Sequence, residues 1–322
     1  MTDTNLSANP AMPDSVAPAP APAHESAVQR IFVGPNGIRA GWRVLIFAAI
    51  FIGFSLGLLK LVTFVPGFTA WARTQSQASI SATFQIITEG LQAVGLLGAA
   101  WMMTKIEKRS FADYWLPFDD AFGRTFWQGI PFGFLGLSLL LAVLAGFRAF
   151  SISGLEDHGA DIFKYGALFG IVFVLVGFVE EFSFRGYLQS TLGSGIGFWP
   201  AAVILSGCFG ALHLRNPGEA KIGAFMAGSF GIVAAFALRR TGNLWFPIGM
   251  HAAWDWGETY FYGVPDSGLV ARGRLFVSSS QGPAWLTGGS VGPEGSYLVF
   301  LVLVLMAVAI HFAFPAKKEM KT

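Results

Sequence analysis

Long apolar runs, interrupted by short basic or glycine-rich stretches, organise this chain from about Arg43 onward. Eight of them lie near 43–65, 83–105, 126–147, 162–188, 197–214, 220–238, 244–262 and 296–315. A helix rises about 1.5 Å per residue, so segments of about 18–28 residues cross roughly 30 Å of hydrocarbon with some tilt. The pattern predicts an all-α, polytopic membrane bundle of about eight transmembrane helices, occupying residues 41–316. Spacings such as Gly166/Gly170 and Gly223/Ala227/Gly231 place small residues on one helix face, where they let neighbouring helices pack closely in lipid.

Composition agrees with this reading. The 322 residues are 53% hydrophobic and 12% charged, with a mean hydropathy of +0.56, which excludes a soluble domain with a single core. A net charge of +2 gives no footing for nucleic-acid binding, so the information lies in where the charges sit. Residues 1 to about 29 are rich in Pro, Ala and Ser without apolar periodicity and read as the body of a disordered cytoplasmic tail that ends near residue 40. A secretory signal would reach its apolar core within the first residues, and this segment does not. With the N-terminus inside, Arg43, Lys105, Lys108, Arg109, Arg124, Arg239, Arg240 and the basic tail at 317–322 fall on one side. The other side holds fewer Lys and Arg, so the bias places both termini in the cytoplasm, as expected for a bacterial inner-membrane protein. Lys60 sits near the outer end of the first helix, where its stem can snorkel. Residues 106–125 mix Asp113, Asp119 and Asp120 with aromatics and suit an interfacial segment, while 263–295 form a long outer loop that is either a cover or mobile. The lone Cys208 excludes an intramolecular disulfide and reads as a helix-packing residue.

Against this apolar background, charges inside a helix need a reason, because an ionised side chain in hydrocarbon costs several kcal/mol unless it is paired or faces a wet cavity. Glu180 and Glu181 are followed by Arg185. At about 100° per residue Glu181 and Arg185 share a helix face, and Glu180 points elsewhere. One acid can thus pair with the arginine while the other stays free for chemistry; the bland alternative is an ion-pair cluster that only locks helices together. Two later segments carry His213 and, at i, i+4 and i+7, His251, Asp255 and Glu258. The helices bearing Glu180 and His213 are joined by a turn around Gly193–Gly197, which sets the two side chains at similar depth. Glu89 is a further buried acid, either paired with a neighbouring helix or lining a cavity.

A carboxylate with an imidazole is the set that activates water. Glutamate takes the proton, and histidine orients the water, protonates the leaving amine or stabilises the oxyanion. The reaction class is amide hydrolysis within the membrane. Glu180, His213 and His251 would also suit zinc, so a metal-bound site stands as the alternative to a cofactor-free one. No His-Glu-x-x-His pair is present. Gly288-Gly-Ser290-Val-Gly292 matches a nucleophile-elbow pattern but lacks the strand and helix that would give it meaning.

Taken together, Glu180-Glu181-x-x-x-Arg185, Phe209-x-x-x-His213 and His251-x-x-x-Asp255 resemble the motif series of the CAAX prenyl endopeptidase and bacteriocin-processing (CPBP, or Abi) intramembrane endopeptidases. The flanks Phe184-Arg185-Gly186-Tyr187-Leu188 and Arg240-Thr241-Gly242-Asn243-Leu244 agree. The resemblance covers about 125–262, the expected catalytic core. It implies that Glu180 and His213 activate water, that His251 and Asp255 line the oxyanion side, and that Glu181 and Arg185 hold the site together. The substrate it implies is a membrane-associated or lipidated peptide or protein. Asp255 departs from the asparagine of the prenyl endopeptidases, and an ionised aspartate cannot donate to an oxyanion. Two other functions compete: a non-catalytic membrane adaptor or bacteriocin-immunity protein, and a proton-coupled transporter. The residues do not specify an oligomeric state.

Overall fold

The structure is a computed structural model that describes residues 31–34, 37–75, 79–215 and 221–315. The first thirty residues of the expected tail and the basic tail at 317–322 lie outside the described residues. The chain divides after Arg39 into two units. Within the first, Val33–Gly34 pairs antiparallel with Gly37–Ile38.

In the second unit every one of the eight apolar segments is helical: α1 (Ala40–Val62), α2 (Ala82–Glu107), α3 (Arg124–Gly146), α4 (Ala160–Glu181 and its continuation), α5 (Phe198–His213), α6 (Lys221–Thr241), α7 (Trp245–Trp256) and α8 (Leu298–Ala313). Five of them, α1 to α4 and α6, are long and apolar enough to cross a membrane. The expected count of eight full-length spans is therefore not exact. Helices α5 and α8 have 16 residues each, and α7 has 12 before it widens into a π-helical turn at Gly257–Phe261. The shortness of α7 has a physical reason: every residue from Trp245 to Asp255 is buried by protein, so its ends are satisfied by neighbours rather than by crossing lipid. The Leu244 amide donates to the Trp115 carbonyl, and the Val264 amide to that of Glu258. Helix α1 is the opposite case. Phe47 is its one buried residue, and Leu45, Leu56, Leu59 and Leu61 are exposed, an apolar surface suited to lipid rather than water.

Glycines set how tightly α7 is held. A Cβ at Gly129 or Gly133 of α3 would collide with the carbonyls of Phe246 and Met250, and one at Gly249 with that of Phe126. On the other side Gly177 of α4 lies against Ile248 and His251. These contacts clamp α7 between α3 and α4, the helix that carries the paired glutamates. Gly166 was expected at a close approach and has one, with the Tyr260 ring against it and its carbonyl accepting from the Trp256 indole at 3.0 Å.

Helix α4 runs further than its apolar pattern shows. After Glu181 it widens into a π-helical stretch at Phe182–Leu188 and resumes as Gln189–Ile196. The turn to α5 is made at Gly197, whose φ of 90° favours glycine, and not over the whole Gly193–Gly197 stretch.

The two unusual connections cover opposite ends of α7. Residues 111–120 do more than lie at an interface, since Tyr114 and Leu116 are fully buried. The Pro117 carbonyl accepts from the Trp245 indole at 2.9 Å, and Asp120 accepts from Asn243. At the other end the 263–295 loop is packed, with Val264, Val291 and Pro293 buried. Its strand Phe276–Ser280 pairs antiparallel with Phe150–Leu155, and Val270–Ala271 pairs parallel with Ser79–Ile80. Of the two readings open for this loop, a cover is the one its packing favours. Cys208 corrects the packing expectation: it is exposed, because it falls on the outward face of α5 beside the exposed Val203 and Ile204.

Candidate active site

Burial separates the two consecutive glutamates. The Glu181 side chain is fully buried, whereas that of Glu180 is 33% exposed. As the helix-face argument requires, Glu181 Oε1 accepts from Arg185 Nη1 at 3.0 Å. The guanidinium also lies over the Phe209 ring, 4.4 Å from its centroid. A Cβ at Gly231 would strike Arg185 Nη2, so the last residue of the Gly223/Ala227/Gly231 series makes room for a charge rather than only for a helix.

The same Glu181 oxygen is 2.8 Å from His251 Nδ1. A carboxylate accepts, so Nδ1 carries the proton and the opposite nitrogen is turned the other way. His251 Nε2 stands 3.6 Å from Glu180 Oε2 and 3.4 Å from Asp255 Oδ2. One imidazole thus joins Glu180, Glu181 and Asp255, with Arg185 behind them. The helix α7 clamp is what brings it there.

His213 reaches the site along another wall. Its Nδ1 is 2.9 Å from the Phe209 carbonyl, and its ring is edge-on to that of Phe209. With His251, Asp255, Phe230 and Trp254 it lines a cavity of about 40 Å³. That is room for about three or four waters, at roughly 10–15 Å³ each. The imidazole set against Glu180 is His251; His213 lines the same cavity as His251, with the Phe209 ring against both, and Glu180 is not among the lining residues. Among the described residues no set of three or more His, Cys, Asp or Glu side chains is grouped as metal ligands would be.

One cavity residue was missed from sequence. Glu294, from the outer loop, lines it beside Asp255, and only its presence in a long Gly/Pro-rich loop hinted at a role. Ser290 of the elbow-like pattern is exposed in that loop and follows no strand. Glu89 is partly buried and accepts from Gln92 at 3.1 Å.

The fold and this arrangement define a polytopic α-helical integral membrane protein with a buried carboxylate–imidazole site. Residues 163–257, which carry all six sequence-chosen site residues, match the family model described as Rce1-like, type II CAAX prenyl endopeptidase. The resemblance carried by the motifs is thereby borne out: this segment is similar to the type II CAAX prenyl endopeptidases. Two curated relatives come from Bacillus subtilis (strain 168). Uncharacterized protein YyaK is 27% identical over 203 residues, covering 60% of this chain and 64% of the relative. Uncharacterized protein YpbD is 30% identical over 132 residues, covering 40% of this chain and 64% of the relative. The chain therefore aligns with a little under two thirds of each relative's length. No solved structure matches.

Proposed function

We propose that this protein is an intramembrane endopeptidase that hydrolyses peptide bonds of membrane-associated or lipidated proteins with a glutamate-activated water. The observation that carries the reading is His251 held between Glu181 and Glu180 at the wall of a water-sized cavity. Glu180, the more accessible acid, takes a proton from water. The resulting hydroxide attacks the carbonyl carbon; His251 and Asp255 line the oxyanion side, where a protonated Asp255 supplies the hydrogen bond because the His251 proton is engaged at Nδ1. Collapse of the tetrahedral intermediate breaks the C–N bond, and the proton taken up by Glu180 passes, directly or by way of His213, to the leaving amine. Glu181 and Arg185 fix the imidazole and its tautomer.

The basic residues at the α1, α3 and α7 starting ends support an orientation with both termini in the cytoplasm of a bacterial cell. The catalytic core is residues 125–262 within a membrane domain of 41–316. No cofactor is needed for the chemistry proposed. Zinc held by Glu180, His213 and His251 is the alternative, and dialysis against a strong chelator followed by zinc addition separates the two. The main test compares membrane-peptide fragments from cells carrying wild-type protein and Glu180→Gln. Fragments that appear only with the wild type support hydrolysis; identical fragment sets support a non-catalytic adaptor or immunity role.

A further inference from the structure

Every peptide bond cut consumes a water, and in a bundle surrounded by lipid that water needs a route to the base. Glu180 is not among the residues lining the cavity beside His251, yet its side chain is 33% exposed. On α4, Phe173, Val176 and Glu180 share one face at i, i+3 and i+7. Ile86 of α2 packs into the apolar cluster that holds Phe173 and Val176, so this face is turned to α2. Further along, Ala93 and Leu96 of α2 belong to the cluster of Phe178, Val179 and Phe182. The two helices therefore run side by side in the same direction. Glu89 and Gln92 fall between these contacts, at the level of the α4 turn that leads into Glu180.

Here α2 is polar. Gln85, Glu89 and Gln92 recur at i, i+4 and i+7, within an arc of about 60° at 100° per residue, and Thr88 flanks them. The Gln92 amide donates to Glu89 Oε1 at 3.1 Å, and the Thr88 hydroxyl stands 3.1 Å from Gln85 Oε1. Gln92 is exposed, and Gln85, Thr88 and Glu89 are half-buried, although α2 is one of the helices apolar enough to cross a membrane. Polar and ionisable side chains spread over about two turns of such a helix are costly against hydrocarbon, and a water-filled cleft removes that cost. The other side of α2 carries Val94 and Trp101, 58% and 56% exposed, the kind of surface that lipid covers. Glu89 also lies within the electrostatic reach of Glu180, so the stripe leads to the acid and not merely past it.

We propose that Gln85, Glu89 and Gln92 form the wall of a water path that enters where α2 begins and ends at Glu180, with Glu89 positioning water beside that acid. The assignment rests on the reading of Glu180 as the water-activating base. It is tested without hydrolysis, on the full chain carrying Cys208→Ser in lipid nanodiscs, by the rate at which single cysteines react with the membrane-impermeant cation methanethiosulfonate ethyltrimethylammonium. A thiol reacts as its thiolate, and apolar surroundings raise its pKa, each unit lowering the thiolate about tenfold. Gln85→Cys and Gln92→Cys are therefore expected to react at least about tenfold faster than Val94→Cys and Trp101→Cys. Glu180→Cys reacts as well; adding Gln85→Trp, which fills the mouth of the path, slows it, and adding Val94→Trp leaves it unchanged. Stripe cysteines no faster than Val94→Cys, or a Glu180→Cys rate that Gln85→Trp does not slow, overturn the assignment. Where Glu180→Cys does not fold, the comparison of stripe and lipid-side cysteines decides alone. The expected labelling in a protein that cuts no peptide upholds the path and counts against the peptidase reading alone.

Discussion

His251 donates its Nδ1 proton to Glu181 across 2.8 Å, and the same carboxylate oxygen accepts from Arg185 at 3.0 Å. Both partners of the carboxylate are buried, so removing it strands a guanidinium in the protein interior and frees the imidazole to rotate. Glu181→Gln and Arg185→Ala are each expected to lower stability by roughly 3–5 kcal/mol, as for other broken buried pairs. Thermal unfolding in detergent measures this. Normal melting with lost activity in both variants would move the pair from scaffold to chemistry.

Glu180 sits one residue away in a different setting, a third exposed and free of the arginine. Its removal costs chemistry more than stability. Glu180→Gln is expected to lower hydrolysis about 10²–10⁴-fold with near-normal melting and membrane insertion, the usual scale for a lost acid–base group. His213→Ala, in the cavity lining, is expected to do the same. Full activity in purified Glu180→Gln would remove glutamate as the base.

How far the sequence foretold this site differs from residue to residue. The Glu181–Arg185 contact follows from helix geometry alone, because i and i+4 share a face whatever the tertiary fold. The His251–Asp255 contact at 3.4 Å follows in the same way. The meeting of His251 with both glutamates does not, since α4 and α7 are not consecutive and their register is set by backbone contacts at Gly129, Gly133, Gly177 and Gly249. Small-residue spacing on α3 and α4 was the available signal, but it names a face and not a partner. The π-helical stretch after Glu181 left no periodicity to detect. Glu294 was hidden for another reason: a loop has no period, so its side chains cannot be placed without its fold.

Asp266 offers a pH test outside the helices. Burial holds its carboxyl above the ordinary value of 3.8, the Thr259 hydroxyl at 2.7 Å opposes that shift, and the charge of Glu180 adds to it. A carboxyl whose folded pKa is raised contributes its full stability below the unfolded pKa and loses it as pH rises through the folded one. Asp266→Asn keeps an acceptor for Thr259 but does not ionise. Relative to wild type it is expected to gain stability as pH rises from acidic to neutral, measured by thermal unfolding over that range. A constant difference at all pH values would show that Asp266 does not titrate with folding.

Asp255 bears on the oxyanion, and the asparagine of the prenyl endopeptidases supplies the comparison. Its Oδ2 faces His251 Nε2, the nitrogen left free by the Nδ1 bond to Glu181. A carboxyl donates a hydrogen bond only while it holds its proton, whereas an amide donates at every pH. If Asp255 acts as a donor to the oxyanion, Asp255→Asn keeps the donor and drops the titration. The expected result is that the variant retains most of the activity and carries it to higher pH than the wild type. If Asp255 instead acts as an anion that charges and orients His251, the amide cannot replace it and activity falls at every pH. Glu258, a turn further along and within reach of its field, makes a second negative charge there costly and favours the donor role. A pH–rate profile of both proteins on one peptide separates the two, and a uniform loss across the range would rule out donation from Asp255.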